Sequence, residues 1–284
     1  MNEPKVLILP DIHGRTFWKY AVQRFPKEQC PDLKIIFLGD YLDPYTGYDG
    51  ISKEDAYVNF EDILDYAKTD NRVTLLIGNH DWHYFVNLDT CRMDTLRARN
   101  IEHLFIENIS RFKLTETVNI GKDFYLFSHA GITSTWLNDI SEISKNRLKY
   151  LENNKDRYIN YYSDIDYTEK LIWITHIIEI NKKYEFEYLE DCLQKYNDPY
   201  YNYFPSMVSG YRGGNDRSGS LIWADVHEHL HFFNKSIPGY YQIFGHTISY
   251  PNDDPKQYYI GDKFAMLDAS CAFILDVEGK IQAI

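Results

Sequence analysis

Five short apolar runs in this chain stop abruptly, each at a glycine or at a side chain able to bind a metal ion, and this recurrence constrains the fold more than any other feature. Val6-Leu7-Ile8-Leu9 leads to Asp11 and His13, Ile35-Ile36-Phe37-Leu38 to Gly39-Asp40, and Val73-Thr74-Leu75-Leu76-Ile77 to Gly78-Asn79-His80. Further on, Phe124-Tyr125-Leu126-Phe127 leads to Ser128-His129, and Tyr241-Gln242-Ile243-Phe244 to Gly245-His246. Runs of this length bounded by turn residues read as buried strands.

Helical patterns lie between the early strands. In 52–68, Ala56, Phe60, Ile63, Leu64 and Ala67 fall on one face, and Ser52 with Asp55 three residues on has the form of a capping box. Alternating strands and helices predict α/β organisation with the functional loops at the carboxyl ends of strands, so the polar endings should converge. From about 133 the pattern changes to helical spacing rich in charge and tyrosine, as in Leu171-Ile172-Trp173-Ile174 with Ile177 and Ile178. We read 133–211 as a helical insertion in a single domain of 284 residues, with an irregular, tyrosine-rich tail. Phe264-Ala265-Met266-Leu267 and Ala272-Phe273-Ile274-Leu275 read as two final strands, with a turn at Glu278-Gly279.

The formal net charge of −12 opposes binding to phosphate-rich polymers, whose affinity comes from lysines and arginines that displace counterions. Part of that charge is expected to be aspartates gathered around cations. Cys30, Cys91, Cys192 and Cys271 are dispersed without a C-x-x-C pair, which indicates neither a zinc ribbon nor a disulfide framework and fits reduced thiols in a cytoplasm. No apolar stretch is long enough to predict a membrane span, and the first run is too short for an export signal.

Taken together, Asp11-Ile12-His13, Gly39-Asp40-Tyr41-Leu42-Asp43, Gly78-Asn79-His80-Asp81, Ser128-His129-Ala130-Gly131 and Gly245-His246-Thr247 offer carboxylate, carboxamide and imidazole donors at strand ends. Such a mixed hard and borderline set suits manganese, iron or zinc better than magnesium or calcium. The ordered motifs D-x-H, GD-x-x-D, GNH-D, H-A-G and GH-T resemble the calcineurin-like metallophosphoesterases, and most closely the branch of serine/threonine protein phosphatases and symmetrical diadenosine tetraphosphatases. Leu221-Ile222-Trp223-Ala224 is similar to that branch's apolar element before its last histidine.

The resemblance implies a four-layer α/β/β/α sandwich with metals at one edge and the insertion near the mouth. It also implies two divalent ions, with Asp11, His13 and Asp40 holding the first, Asp40 bridging, and Asn79, His129 and His246 completing the second. A metal-bound hydroxide would attack phosphorus directly, with inversion and without a phosphoenzyme. His80 would protonate the leaving group, oriented and kept protonated by Asp43. The family's arginine directly after GD-x-x-D is missing, because Pro44 and Tyr45 follow Asp43. Arg212, between glycines, resembles the second family arginine, with Arg217 as its substitute.

The implied substrate is a phosphorylated one, a phosphoprotein or a small phosphate or nucleotide, with a symmetrical dinucleoside tetraphosphate as the alternative. A non-catalytic metal-bearing module would not need His80 and Asp43, and a nuclease would need a histidine where Ile248 stands. His227, His229 and His231 alternate and are expected on one face of a solvated strand, while His83, His103 and His176 are expected in packing or surface roles, His83 close to the site. The tyrosines of 196–211 are expected to pack within the loop rather than stack on a base.

Overall fold

The computed structural model describes residues 3–86, 92–136, 206–230, 239–247 and 258–284. Two mixed sheets face one another. The first has six strands, β1 (Pro4–Leu9), β2 (Lys34–Phe37), β3 (Val73–Leu76), β4 (Phe112–Lys113), β10 (Phe273–Asp276) and β11 (Ile281–Ala283), in the order β11-β10-β1-β2-β3-β4. The second has five, β5 (Thr115–Ile120), β6 (Asp123–Ser128), β7 (Tyr240–Phe244), β8 (Tyr259–Ile260) and β9 (Phe264–Met266), in the order β5-β6-β7-β9-β8. The strands β1, β2, β3 and β4 run parallel, as do β6, β7 and β9, and antiparallel hairpins close the edges.

The uninterrupted apolar runs follow from burial of the central strands on both faces. Val6, Ile8, Ile36 and Leu38 pack between the sheets against Phe127, Ile243, Ala265 and Phe273. Their alternates Leu7, Leu9, Ile35 and Phe37 pack outward against a helical layer through Trp18, Phe60, Ile63 and Phe105. That layer comprises α1 (Phe17–Gln23), α3 (Lys53–Thr69) and α5 (Ala98–Glu107); α2 (Thr46–Asp49) and α4 (Asn79–Val86) follow strand-end loops. On the outer face of the second sheet, α6 (Val226–Leu230) places His229 against Phe244 and Phe264.

The expected helix 52–68 is α3, with the reciprocal capping box of Ser52 and Asp55 complete. The two strands expected near the C-terminus are β9 and β10, the turn at Gly279 is left-handed, and β11, which was not expected, follows that turn and pairs with β10. The alternating histidines are a correction: His227 and His229 lie on α6, and His231 is outside the described residues. A two-residue period was the wrong guide there, because buried His229 bonds the Ala130 carbonyl while His227 turns to Asp225. Most of the expected insertion, 137–205, is outside the described residues, as are His176, Cys91 and Cys192. Among the described residues, no helix is long and apolar enough to cross a membrane.

Phe60 is fully buried and touches Tyr41, Phe105 and Phe112, so it joins α3 to the loop that follows β2. Replacing it with alanine is expected to cost ~3–5 kcal/mol, against about 1 kcal/mol for Ser52→Ala at the exposed cap. Urea unfolding of the two variants measures the difference, and equal losses would mean that the aromatic cluster does not anchor the helix.

Candidate metal centre

Each of the five polar strand endings sits at the carboxyl end of a parallel strand, three on the first sheet and two on the second. Backbone bonds tie the endings together within each sheet, and side-chain bonds join the two sets. The Leu38 amide donates to Leu9 O, His13 and Ile12 amides donate to Asp40 O, and the Gly245 amide donates to His129 O. Across the sheets, the His246 amide donates to both carboxylate oxygens of Asp11 at 2.9 and 3.1 Å, and His129 Nδ1 donates to Leu38 O at 2.8 Å.

The loops that carry the site are strained. Among the described residues, the non-glycine positions with positive φ are His13 (44°), Asp40 (53°), Asp43 (58°) and His246 (66°), all of them candidate site residues. Left-handed backbone at such residues is unfavourable and persists where the surroundings enforce it. Two glycines make room for the carboxylates: a β-carbon on Gly245 would overlap the Asp11 carboxylate, and one on Gly78 would overlap that of Asp40.

Asp11, His13 and Asp40 place donor atoms within 4.8 Å of one another, and so do Asp40, His129 and His246, with Asp40 common to both groups. The protonation pattern of the imidazoles decides what this arrangement can hold. His13 Nδ1 faces Leu42 O at 2.8 Å and His129 Nδ1 faces Leu38 O, so in both rings the proton is on Nδ1 and the lone pair is on Nε2. Burial lowers both rings, His13 to about 3, and keeps them neutral although Asp40 pulls the other way. His129 Nε2 then points its lone pair at two oxygens, Asn79 Oδ1 at 3.0 Å and Asp40 Oδ2 at 3.5 Å, with His246 Nδ1 at 3.2 Å. His13 Nε2 points at Asp40 Oδ2, also at 3.5 Å. Acceptors converging on acceptors in a buried site repel unless a cation lies among them, so this donor set fits divalent metal.

The carboxylates carry the same signature. Burial first, and the charge of Asp40 second, raise Asp11 to about 8. Burial opposes ionisation of Asp40 too, but the surrounding imidazoles, His129 foremost, hold it below the ordinary range, leaving Asp40 as the charged member of the pair. Asp268 is also buried nearby and raised, by burial and then by Asp11. His246 is lowered by burial and by Arg212, which places that guanidinium beside the centre.

Beside these donors, His80 Nδ1 meets Asp43 Oδ2 at 2.9 Å, and the other Asp43 oxygen accepts the Tyr84 hydroxyl at 2.6 Å. The His80 ring lies edge-on to that of His13, with centroids 5.2 Å apart. Arg212 ends a 3-10 turn, with Nε 2.6 Å from Asp225 Oδ2 and Nη2 on the Thr247 hydroxyl. His83 is buried near His80 and Trp223, and burial lowers it to about 4. Asp43, His80 and His83 also lie within metal-binding reach of one another, but Arg92 Nη2 is 2.6 Å from His80 Nε2 and its fixed positive charge disfavours a third cation there.

Sequence reasoning quoted Asp81 without giving it a role. The structure shows that it accepts the Gly78, Asp40 and Tyr41 amides at 2.8, 2.8 and 2.9 Å, joining the loops after β2 and β3. Its place in GNH-D was the available signal. Arg92 and Tyr84 were missed, and nothing in their local sequence pointed to the site. Asp81→Asn removes one acceptor oxygen and turns a donor toward the amides, at an expected cost of ~1–3 kcal/mol. The melting temperature and manganese affinity should fall together, and an unchanged affinity would show that the two loops hold their positions without Asp81.

Comparison with curated protein sequences finds no match. Among solved structures, a protein serine/threonine phosphatase from Saccharomyces cerevisiae with similarity to human phosphatase PP5 aligns with 18% identity and a TM-score of 0.29. That alignment covers 46% of this chain and 39% of the yeast chain. A sequence model of the calcineurin-like phosphoesterases matches residues 4–250, which takes in every motif of the site, and the chain therefore belongs to the calcineurin-like phosphoesterase family.

Proposed function

We propose that this chain is a dinuclear-metal phosphatase that hydrolyses phosphate monoesters or anhydrides. The observation that carries the proposal is the convergence of unprotonated donors around Asp40, beside a histidine and carboxylate pair. Asp11, His13 and Asp40 would hold one cation and Asp40, Asn79, His129 and His246 the other, with manganese, iron or zinc suited to these donors. Bound there, the cations would supply Lewis-acid charge and water acidified enough to act near neutral pH.

The chain's own residues do the rest. Asp43 fixes the His80 ring through Nδ1, and Tyr84 holds Asp43, which leaves Nε2, the nitrogen that meets Arg92, as the atom that would give a proton to the leaving-group oxygen. Arg212 supplies positive charge on the other side, close to His246. We assign a phosphoserine- or phosphothreonine-like or small-molecule substrate. A dinucleoside tetraphosphate is the second reading, favoured by Tyr211, which is 59% exposed, stacks on His227 at 9°, and neighbours Arg212. A panel of phosphopeptides, nucleotides and dinucleoside tetraphosphates assayed with manganese separates them.

Two outcomes test the mechanism. His80→Ala should slow alkyl phosphates at least ~100-fold while sparing activated aryl phosphates, because only a poor leaving group needs the proton. Equal losses on both would remove His80 from that role. Manganese binding should release about one proton near pH 7, since Asp11 is protonated without metal up to about 8 and ionised with it, whereas the lowered imidazoles are already neutral. Apparent affinity should then rise ~10-fold per pH unit and level off above about 8. Calorimetry in buffers of different ionisation enthalpy counts the proton, and finding none would place the charge elsewhere.

A further inference from the structure

The sequence has proline where related phosphatases carry an arginine, yet a guanidinium reaches that place from another segment. Arg92 lies past the end of α4. Its Nη1 donates to the Asp43 carbonyl at 3.1 Å, and its guanidinium carbon sits 3.7 Å from the centroid of the Tyr45 ring. The remaining Nη2 donates to His80 Nε2 at 2.6 Å. Arg92 thus stands on the atom assigned to proton donation, and its charge is felt as far as His13.

We infer that Arg92 is a substrate-binding residue that takes a phosphoryl oxygen on the leaving-group side, in the role that residue 44 cannot fill. The inference rests on the phosphatase reading above. Geometry supports a direct role over a purely structural one. Nη2 reaches beyond the contacts with the Asp43 carbonyl and the Tyr45 ring to lie 2.6 Å from the atom assigned to proton donation, on the side where a leaving group would sit. A phosphate dianion is the acceptor such a site would bring, and a planar fork of donors matches it. The Tyr45 ring and the Asp43 carbonyl anchor the guanidinium so that only its outer edge has to shift. Tyr45 therefore stands one residue past the lost arginine as the platform for its replacement.

The test uses the full chain loaded with manganese. Calorimetry gives the Kd for inorganic phosphate, p-nitrophenyl phosphate gives kcat and KM, and thermal melting and metal content report on the fold and the centre. Arg92→Ala is expected to weaken phosphate binding roughly 10- to 100-fold and to lower kcat/KM similarly, with metal content unchanged. Arg92→Lys, which keeps the charge without the fork, should recover part of the phosphate affinity. Unchanged phosphate affinity in both variants, with hydrolysis intact, would overturn the inference and leave the phosphatase reading standing. So would a loss that follows the melting temperature, since that marks a structural role. A wild-type protein that holds its metal but neither binds phosphate nor hydrolyses the aryl ester overturns the phosphatase reading itself.

Discussion

The structure around the site depends on two hydrogen bonds that cross from one sheet to the other. The His129 ring donates to Leu38 O on the first sheet, and the Asp11 carboxylate accepts the His246 amide from the second. Each bond sets the direction of a donor as well as tying two loops. The first puts the bare nitrogen of His129 toward Asn79, His246 and Asp40, and the second fixes the Asp11 carboxylate beneath Gly245. Packing between the sheets, through residues such as Ile8, Ile36, Phe127 and Ile243, holds the distance that lets these bonds form.

Burial gives the centre its chemistry and its cost. Two carboxylates, an amide and the imidazoles of His13 and His129 are removed from water, with the half-buried His246 beside them, and their donor atoms converge on Asp40. Without cations the cluster relieves this by leaving a proton on Asp11 and keeping the rings neutral. The backbone adds a second cost, about 1–3 kcal/mol for each left-handed non-glycine residue, concentrated at His13, Asp40, Asp43 and His246. Such strain is sustained because neighbouring amides are satisfied: Asp81 alone accepts three of them. The fold therefore concentrates both electrostatic and conformational strain where cations and an anionic substrate would relieve it.

Among the described residues, positive charge comes close to the centre from several places on a chain of net charge −12, with Arg15 at the Asp11 carbonyl. Arg212 approaches from the side of His246 and Thr247, and Arg92 from the side of His80 and Tyr45. Each guanidinium touches a residue next to the buried donors, Arg212 the Thr247 hydroxyl beside His246 and Arg92 the His80 ring beside Asn79.

The sequence by itself determined strands β1, β2, β3, β6, β7, β9 and β10, the helix at 52–68 with its capping box, and the ordered candidate donors from Asp11 to His246, because these depend on local apolar runs, turn residues and side-chain chemistry, whereas β4, β5, β8 and β11 were not read from it. Local pattern failed at His227 and His229, where alternation looked like a strand and packing against Phe244 and Ala130 O belongs to a short helix. Only the tertiary structure decided which nitrogen of each imidazole faces the centre, since that depends on carbonyls distant in sequence, Leu42 O and Leu38 O. It alone brought Tyr84 to Asp43 and Arg92 to His80, contacts between side chains that no local pattern relates. A motif records what a side chain can do, whereas the partner that orients it is fixed by the packing of the whole chain.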